Sequence, residues 1–210
     1  LLPPTALLLP PAELLNNTLS SIQSRILHVS CFYFSLFRRP PARCPNNMTH
    51  PDLYAQLRLF LDGNEITEPS PDLLTDQRRR FASSPDIVLQ PRSVESVQNI
   101  MRFCFKHKIP VTPQGGNTGL CGAAVAENGV LLNLSKLNRI REINLADNSI
   151  TVDAGAVLQN VQQAAAEAGR LFPLSLASQG SCEIGGNIAC NAGGLNVLRY
   201  GTMRDLVLGL

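Results

Sequence analysis

SQGSCEIGGNIACNAGG, residues 178–194, is the stretch on which the reading of this chain turns. Between Arg170 and Arg199 its Glu183 is the only charged residue, yet hydroxyl and amide side chains are dense. So neutral a stretch is not an exposed linker in the usual sense, and five glycines in seventeen residues are too many for an ordinary core helix. Close approach of backbone to a large, neutral ligand accounts for both properties.

A second glycine run lies about sixty residues upstream, PQGGNTGLCG at 113–122, directly after a strand-like run and inside an uncharged stretch from Ile109 to Ala126. It lacks the Gly-Lys-Ser/Thr ending of a triphosphate loop, and glycines at 115, 116, 119 and 122 miss the dinucleotide G-x-G-x-x-G spacing. What remains is a loop of small residues whose N–H groups can converge on an anion such as a diphosphate, with Asn117 and Thr118 adding side-chain donors. Taken alone, the run also fits a tight connection between two strands. Together the two segments point to a long ligand with a phosphate end and a polar ring end.

The surrounding pattern predicts a helix from Asp52 to Leu61 with apolar positions 53, 57, 60 and 61, and a strand from Asp86 to Gln90. A helix follows from Ser93 to His107, with Ser93 as N-cap and Val94, Val97, Ile100, Met101, Cys104 and Phe105 as its apolar stripe, then a strand from Ile109 to Thr112. This strand, helix, strand unit predicts a parallel pair joined by a right-handed crossover. Three further strand-like runs follow at 129–134, 140–145 and 149–154, the last two joined at Asp147-Asn148. An alanine-rich helix then runs from Val157 to Ala168, closed by Gly169. The fold class is α+β, with two sheet portions and helices packed on them.

Composition is uneven. Eight of the fifteen prolines fall in residues 1–51, whereas thirteen of the fifteen glycines lie between Gly115 and Gly201. Residues 1–50 carry a net +3 of the chain's +2, which leaves −1 for the rest. With no dense basic stripe and 5% aromatic residues, a nucleic-acid partner is disfavoured. The apolar run Ile26–Phe37 is too short to span a membrane and has no small-residue cleavage site after it. Residues 1–47 are expected to be a disordered or non-native leader, with the domain proper beginning near Met48, and Val207–Leu210 reads as a strand cut in mid-course, so the chain is expected to be a fragment. The expected organisation is leader 1–47, N-terminal helix and arm 48–84, and a domain from 85 to 210. Cys31, Cys44, Cys104, Cys121, Cys182 and Cys190 show no metal-ligand spacing with the three histidines and read as reduced, mostly buried thiols of a cytosolic protein.

In order along the chain, PQGGNTGLCG (113–122), the turn Asp153-Ala-Gly-Ala156, LFPLSLAS (171–178), GSCEIGGNIACNAGG (180–194) and LRYGTMRDLVLGL (198–210) resemble the FAD-binding (PCMH-type) domain of FAD-linked oxidases of the vanillyl-alcohol oxidase type. The likeness is greatest to the branch of D-2-hydroxyglutarate dehydrogenase, D-lactate dehydrogenase and the glycolate oxidase flavin subunit. It implies two α/β subdomains, a small parallel strand-helix-strand unit and a mixed or antiparallel sheet with helices, incomplete at the C-terminus and without the substrate domain. It implies that Gln114, Gly115, Gly116, Asn117, Thr118, Gly119 and Leu120, with Pro113 and Gly122 beside them, wrap the FAD diphosphate. Pro173, Ser178, Gly180, Ser181, Ile184, Gly185, Gly186, Asn187, Asn191, Gly193 and Gly194 would then line the flavin and ribityl chain. Relatives that tether flavin often carry His in the first loop. Asn117 there implies noncovalent FAD, and Cys121, Cys182 and Cys190 read as packing residues.

The function implied is oxidation of a D-2-hydroxy acid, such as D-2-hydroxyglutarate, D-lactate or glycolate, to the 2-oxo acid by transfer of the α-hydrogen to flavin N5. Electrons would pass on to a quinone, an electron-transfer protein or a dye, at a cytoplasmic location or the inner face of a membrane. No catalytic residue and no metal site is assigned. His28, His50 and His107 do not form a constellation, Arg78, Arg79 and Arg80 read as a solvated charge run, and Arg199 and Tyr200 either reach the ligand or pack structurally. The alternatives are an FAD-binding module without turnover and a flavin reductase of a nucleotide sugar on the same fold.

Overall fold

The computed structural model describes residues 5–8 and 50–210. The apolar run 26–37, His28, Cys31, Cys44 and the start at Met48 lie outside the described residues. In chain order the strands are β1 (Thr5–Leu8), β2 (Ile66–Thr67), β3 (Ile87–Leu89), β4 (Val111–Gln114), β5 (Val130–Asn133), β6 (Ile140–Asn144), β7 (Ser149–Val152) and β8 (Val207–Gly209). The helices are α1 (His50–Leu57), α2 (Pro71–Leu74), α3 (Val94–His107), α4 (Leu158–Glu167), α5 (Ile184–Ala189), α6 (Val197–Tyr200) and α7 (Met203–Leu206).

The first sheet has the order β2-β3-β5-β4, with β3 and β4 both parallel to β5. The predicted strand-helix-strand unit therefore exists, but its strands are not neighbours. β5 lies between them because Val130–Asn133 is buried on both faces, which suits an apolar run to the centre of a parallel sheet. Side chains alternate across it. Ile87, Leu89, Val130 and Leu132 meet Leu53, Leu57, Ile100 and Cys104 of α1 and α3 on one face, and Val88 and Leu131 meet Ala126 on the other. Leu57 and Ile100 expose nothing, and each contributes about 2 kcal/mol by burial.

Ser93 caps α3 as expected, its Oγ accepting from the Ser96 amide at 3.0 Å. The stripe is narrower than predicted. Met101 and Phe105 are exposed, whereas Phe103 packs toward Phe60 with ring centroids 5.7 Å apart. Val97, Ile100 and Cys104 face the sheet, and Phe60, in the stretch after α1, is the partner that meets Phe103 rather than Phe105.

The second sheet has the order β6-β7-β1-β8. β6 and β7 form the expected hairpin, with Asn148 at φ 52° in its turn. Over this sheet Leu158, Val161 and Ala165 of α4 join Ile150, Val152, Phe172, Leu174, Ile184, Met203 and Leu206 in one core. Gly169 at φ 68° ends the α4 segment as predicted. Two differences stand out. Residues 5–8, expected to lie outside the fold, pair antiparallel with both β7 and β8. They fall between the proline pairs 3–4 and 10–11, and the strand occupies the interval where every residue can donate to the ladder. The second glycine segment, expected to be irregular, contains α5, because burial of Ile184 and tertiary contacts override the weak helix propensity of Gly185 and Gly186.

Candidate functional site

Three parallel strands of the first sheet end in amide side chains. Gln90 follows β3, Gln114 ends β4 and Asn133 ends β5. The Gln90 amide donates to Asn133 Oδ1 at 3.0 Å. Asn133 in turn donates to Gln114 Oε1 and to the Gly115 carbonyl, each at 3.1 Å. Gln114, 3% exposed, donates to the Leu73 and Ala124 carbonyls at 2.9 and 3.3 Å. This strut holds the base of the first glycine loop at the carboxyl ends of the strands, where open α/β sheets hold ligands. It was missed from sequence, although an amide residue closing three successive apolar runs was a visible signal.

Beyond the strut the backbone changes character. Among the described residues, no hydrogen bond takes the amide N–H of any residue from Gly116 to Gly122. These residues are half-buried to exposed, so water or an anion can reach their donors. Asn117 is not the side-chain donor expected. Its Nδ2 donates to the Asp72 and Thr75 carbonyls at 3.0 and 2.7 Å, which ties the loop to α2 and holds Asn117 at φ 51°.

The structure brings the two glycine segments together. A Cβ on Gly116 would fall inside the Ser181 carbonyl oxygen, and one on Gly115 would stand 3.0 Å from Glu183 Oε2. From the other side the turn at 153–156 grips the second segment. The Ile184 and Gly185 amides donate to the Ala156 and Ala154 carbonyls at 2.9 and 2.7 Å, and the Leu158 amide to the Cys182 carbonyl at 3.0 Å. Asp153, buried at 6% exposure, accepts from Arg139 and Arg141 at 3.4 and 2.5 Å and so fixes that turn.

The remaining predicted positions divide into two groups. Gly119, Leu120, Gly180, Ser181, Gly186 and Gly194 are exposed, and Thr118, Gly122, Ser178, Gly185, Asn191 and Gly193 are half-buried. Pro113 is exposed on its strand, whereas Pro173, Ile184 and Asn187 are buried. The Ile184 side chain belongs to the core, and Asn187 donates to Cys182 Sγ at 3.6 Å, so these two offer a ligand backbone only. Asn191 Oδ1 accepts from the Arg204 amide at 2.9 Å. Cys104 and Cys182 are buried as expected, but Cys121 and Cys190 are exposed. Arg78, Arg79 and Arg80 are exposed on a turn organised by Asp76, which accepts the Arg80 and Phe81 amides at 2.6 and 2.7 Å. Those bonds, the Phe81 one foremost, hold its carboxyl below the usual range. Arg199 lies over the Tyr200 ring at 5.3 Å, and His107 packs on Phe103 at 4.5 Å.

Glu183 is the residue whose importance the sequence understated. It is 5% exposed, precedes α5 without capping it, and its Oε2 is the buried side-chain polar atom that has no partner among the described residues. Burial pushes its carboxyl up to about 7.

Residues 85–210 match the family model described as an FAD binding domain. A D-2-hydroxyglutarate dehydrogenase of Xanthomonas citri is 47% identical over 136 residues, 64% of this chain and 29% of that protein. A mitochondrial D-2-hydroxyglutarate dehydrogenase of Danio rerio is 40% identical over 176 residues, 81% of this chain and 32% of that protein. The chain thus spans about a third of the length of these curated relatives. Among solved structures, an alkyldihydroxyacetonephosphate synthase superposes with a TM-score of 0.66 at 16% identity, over 76% of this chain and 34% of that one. At that identity the likeness is one of fold.

Proposed function

The chain belongs to the FAD binding domain family, and from that premise we propose that it is the cofactor-holding part of a flavin-dependent dehydrogenase that oxidises a D-2-hydroxy acid to the 2-oxo acid. The observation that carries the cofactor reading is the run of amides from Gly116 to Gly122 without an acceptor among the described residues, standing at the carboxyl ends of parallel strands. Such a run fits an anionic diphosphate, since several N–H dipoles share a charge that one lysine would otherwise neutralise. The adjoining second segment, nearly free of charge, fits the neutral ring end of the same ligand. The substrate class rests on the relatives at 40% and 47% identity.

No protein side chain accepts a hydride, and a bound flavin would supply that acceptor. This chain's residues bind and orient. The amides of Gly116–Gly122 would hold the diphosphate, with the Gln90-Asn133-Gln114 strut and the Asn117 contacts keeping the loop in place. The backbone of Ser178, Gly180, Ser181, Gly185, Gly186, Gly193 and Gly194 would line the rest, and the close approach of Gly116 to Ser181 keeps the two segments side by side. Position 117 is Asn rather than a nucleophilic side chain such as His, which supports a cofactor held there without a covalent bond.

The test is spectroscopic. The purified protein mixed with FAD is expected to retain a yellow chromophore through gel filtration and to release it intact into acid supernatant. A protein that stays colourless overturns the cofactor reading. Anaerobic mixing of the flavin-loaded protein, expressed from its natural gene, with D-2-hydroxyglutarate, D-lactate or glycolate is expected to bleach the flavin band with one of them; bleaching by none overturns the substrate reading.

A further inference from the structure

Where the two glycine segments meet, the loop around Gly115 and Gly116 and the residues before α5 are in van der Waals contact, and the carboxyl at that contact is Glu183. Its Oε2 is buried and accepts no hydrogen bond among the described residues. Among the described residues, the elements packed around it bring no cation to it. The loop 109–126 and α5 carry no charge, and the head of α4 offers Leu158 and Gln159. The 153–156 turn contributes Asp153, which is held by Arg139 and Arg141, and the neighbouring thiol, Cys182, accepts from Asn187. On the α2 side, Asp76 is engaged by its own turn and the Asp72 carbonyl receives Asn117.

We propose that Glu183 is a proton-linked determinant of anion binding at the junction: the loop accepts an anionic diphosphate while Glu183 is a neutral carboxylic acid, and binding draws a proton onto it from solvent when it is ionised. This rests on the cofactor reading above and adds a regulation of that same site. The physics is short-range. A carboxylate against Gly115, in a place with no counter-cation and little water, raises the energy of any anion cradled by the next amides. Burial alone already brings the carboxyl into the neutral range, so the balance shifts within ordinary conditions of pH. No bond other than the O–H of Glu183 forms, and the proton comes from the buffer.

FAD binding to the whole chain, followed by flavin fluorescence between pH 6 and 8.5, tests this alongside the Glu183→Gln variant, which keeps the shape and removes the titration. The wild-type dissociation constant is expected to rise at least tenfold over that range, and that of E183Q less than twofold. Calorimetry in two buffers of different ionisation enthalpy should show uptake of close to one proton per FAD at pH 8 for wild type, and none for the variant. A flat wild-type profile, or the same slope in E183Q, overturns the proposal. If E183Q does not fold, the wild-type slope and proton count decide in the same way. Absence of FAD binding at pH 6 would instead be a failure of the cofactor reading, so the two failures are distinguishable.

Discussion

Gly116 and Gly119 stand three residues apart in one loop, yet their surroundings are opposite. At Gly116 a Cβ would enter the Ser181 carbonyl oxygen, whereas at Gly119 it would meet nothing within 4 Å. The same contrast recurs in the second segment, where Gly185 lies against Ala154 and Gly186 faces open space. Glycine therefore serves two purposes in this chain. At the junction it lets two backbones touch, and at the rim it leaves room and exposed amides for something else.

Substitutions can break that comparison. Gly116→Ala is expected to have the largest effect, a loss of about 3 kcal/mol of stability from forced separation of backbones, with FAD binding abolished. Thermal melts and flavin titration would check it, and an unchanged melt would remove the junction from the account. The Glu183 carboxyl comes next. Its folded value of about 7 stands above the ordinary 4.5, so the folded chain holds the proton more tightly. The contribution of Glu183 to stability is then greatest below pH 4.5, falls as pH rises toward 7, and levels off beyond. After allowing for its partial contact with water, the loss is on the order of 2 kcal/mol. Urea melts across pH 5 to 8 should show this decline in wild type and a flat profile in Glu183→Gln.

The rim positions should behave differently. Gly119→Ala is expected to leave the melt within about 0.5 kcal/mol of wild type while weakening FAD about tenfold, near 1.4 kcal/mol, because a methyl group would stand in the open space. Equal loss of stability and affinity would make Gly119 a packing glycine instead. Gly186→Ala is expected to show the smallest change and the opposite sign, a stabilisation of about 0.5 kcal/mol as α5 gains a better helix former. A destabilised variant would show that the space beside Gly186 is closed in solution.

Much of this was legible before the structure. Ser93 as a cap, the stripe through Ile100 and Cys104, the 140–152 hairpin and Gly169 all follow from local rules. Local rules failed where a distant partner decided. Phe103 rather than Phe105 turns inward because Phe60, in the stretch after α1, is there to meet it. β5 separates β3 from β4 because it is buried on both faces. Residues 5–8 join a sheet whose other strands lie more than a hundred residues away.

By itself the sequence determined where the backbone would lie bare of side chains and charge, because glycine density and absence of charge are properties of the chain that folding does not alter. It also determined α1, α3 and α4, through apolar periodicity and, at α3, the Ser93 cap. The tertiary structure alone decided what each glycine is for and what Glu183 is. Whether a missing Cβ makes a contact possible or leaves a space open depends on what lies opposite. A lone carboxyl among neutral residues becomes a proton-holding group only when folding removes its water and supplies no cation in return.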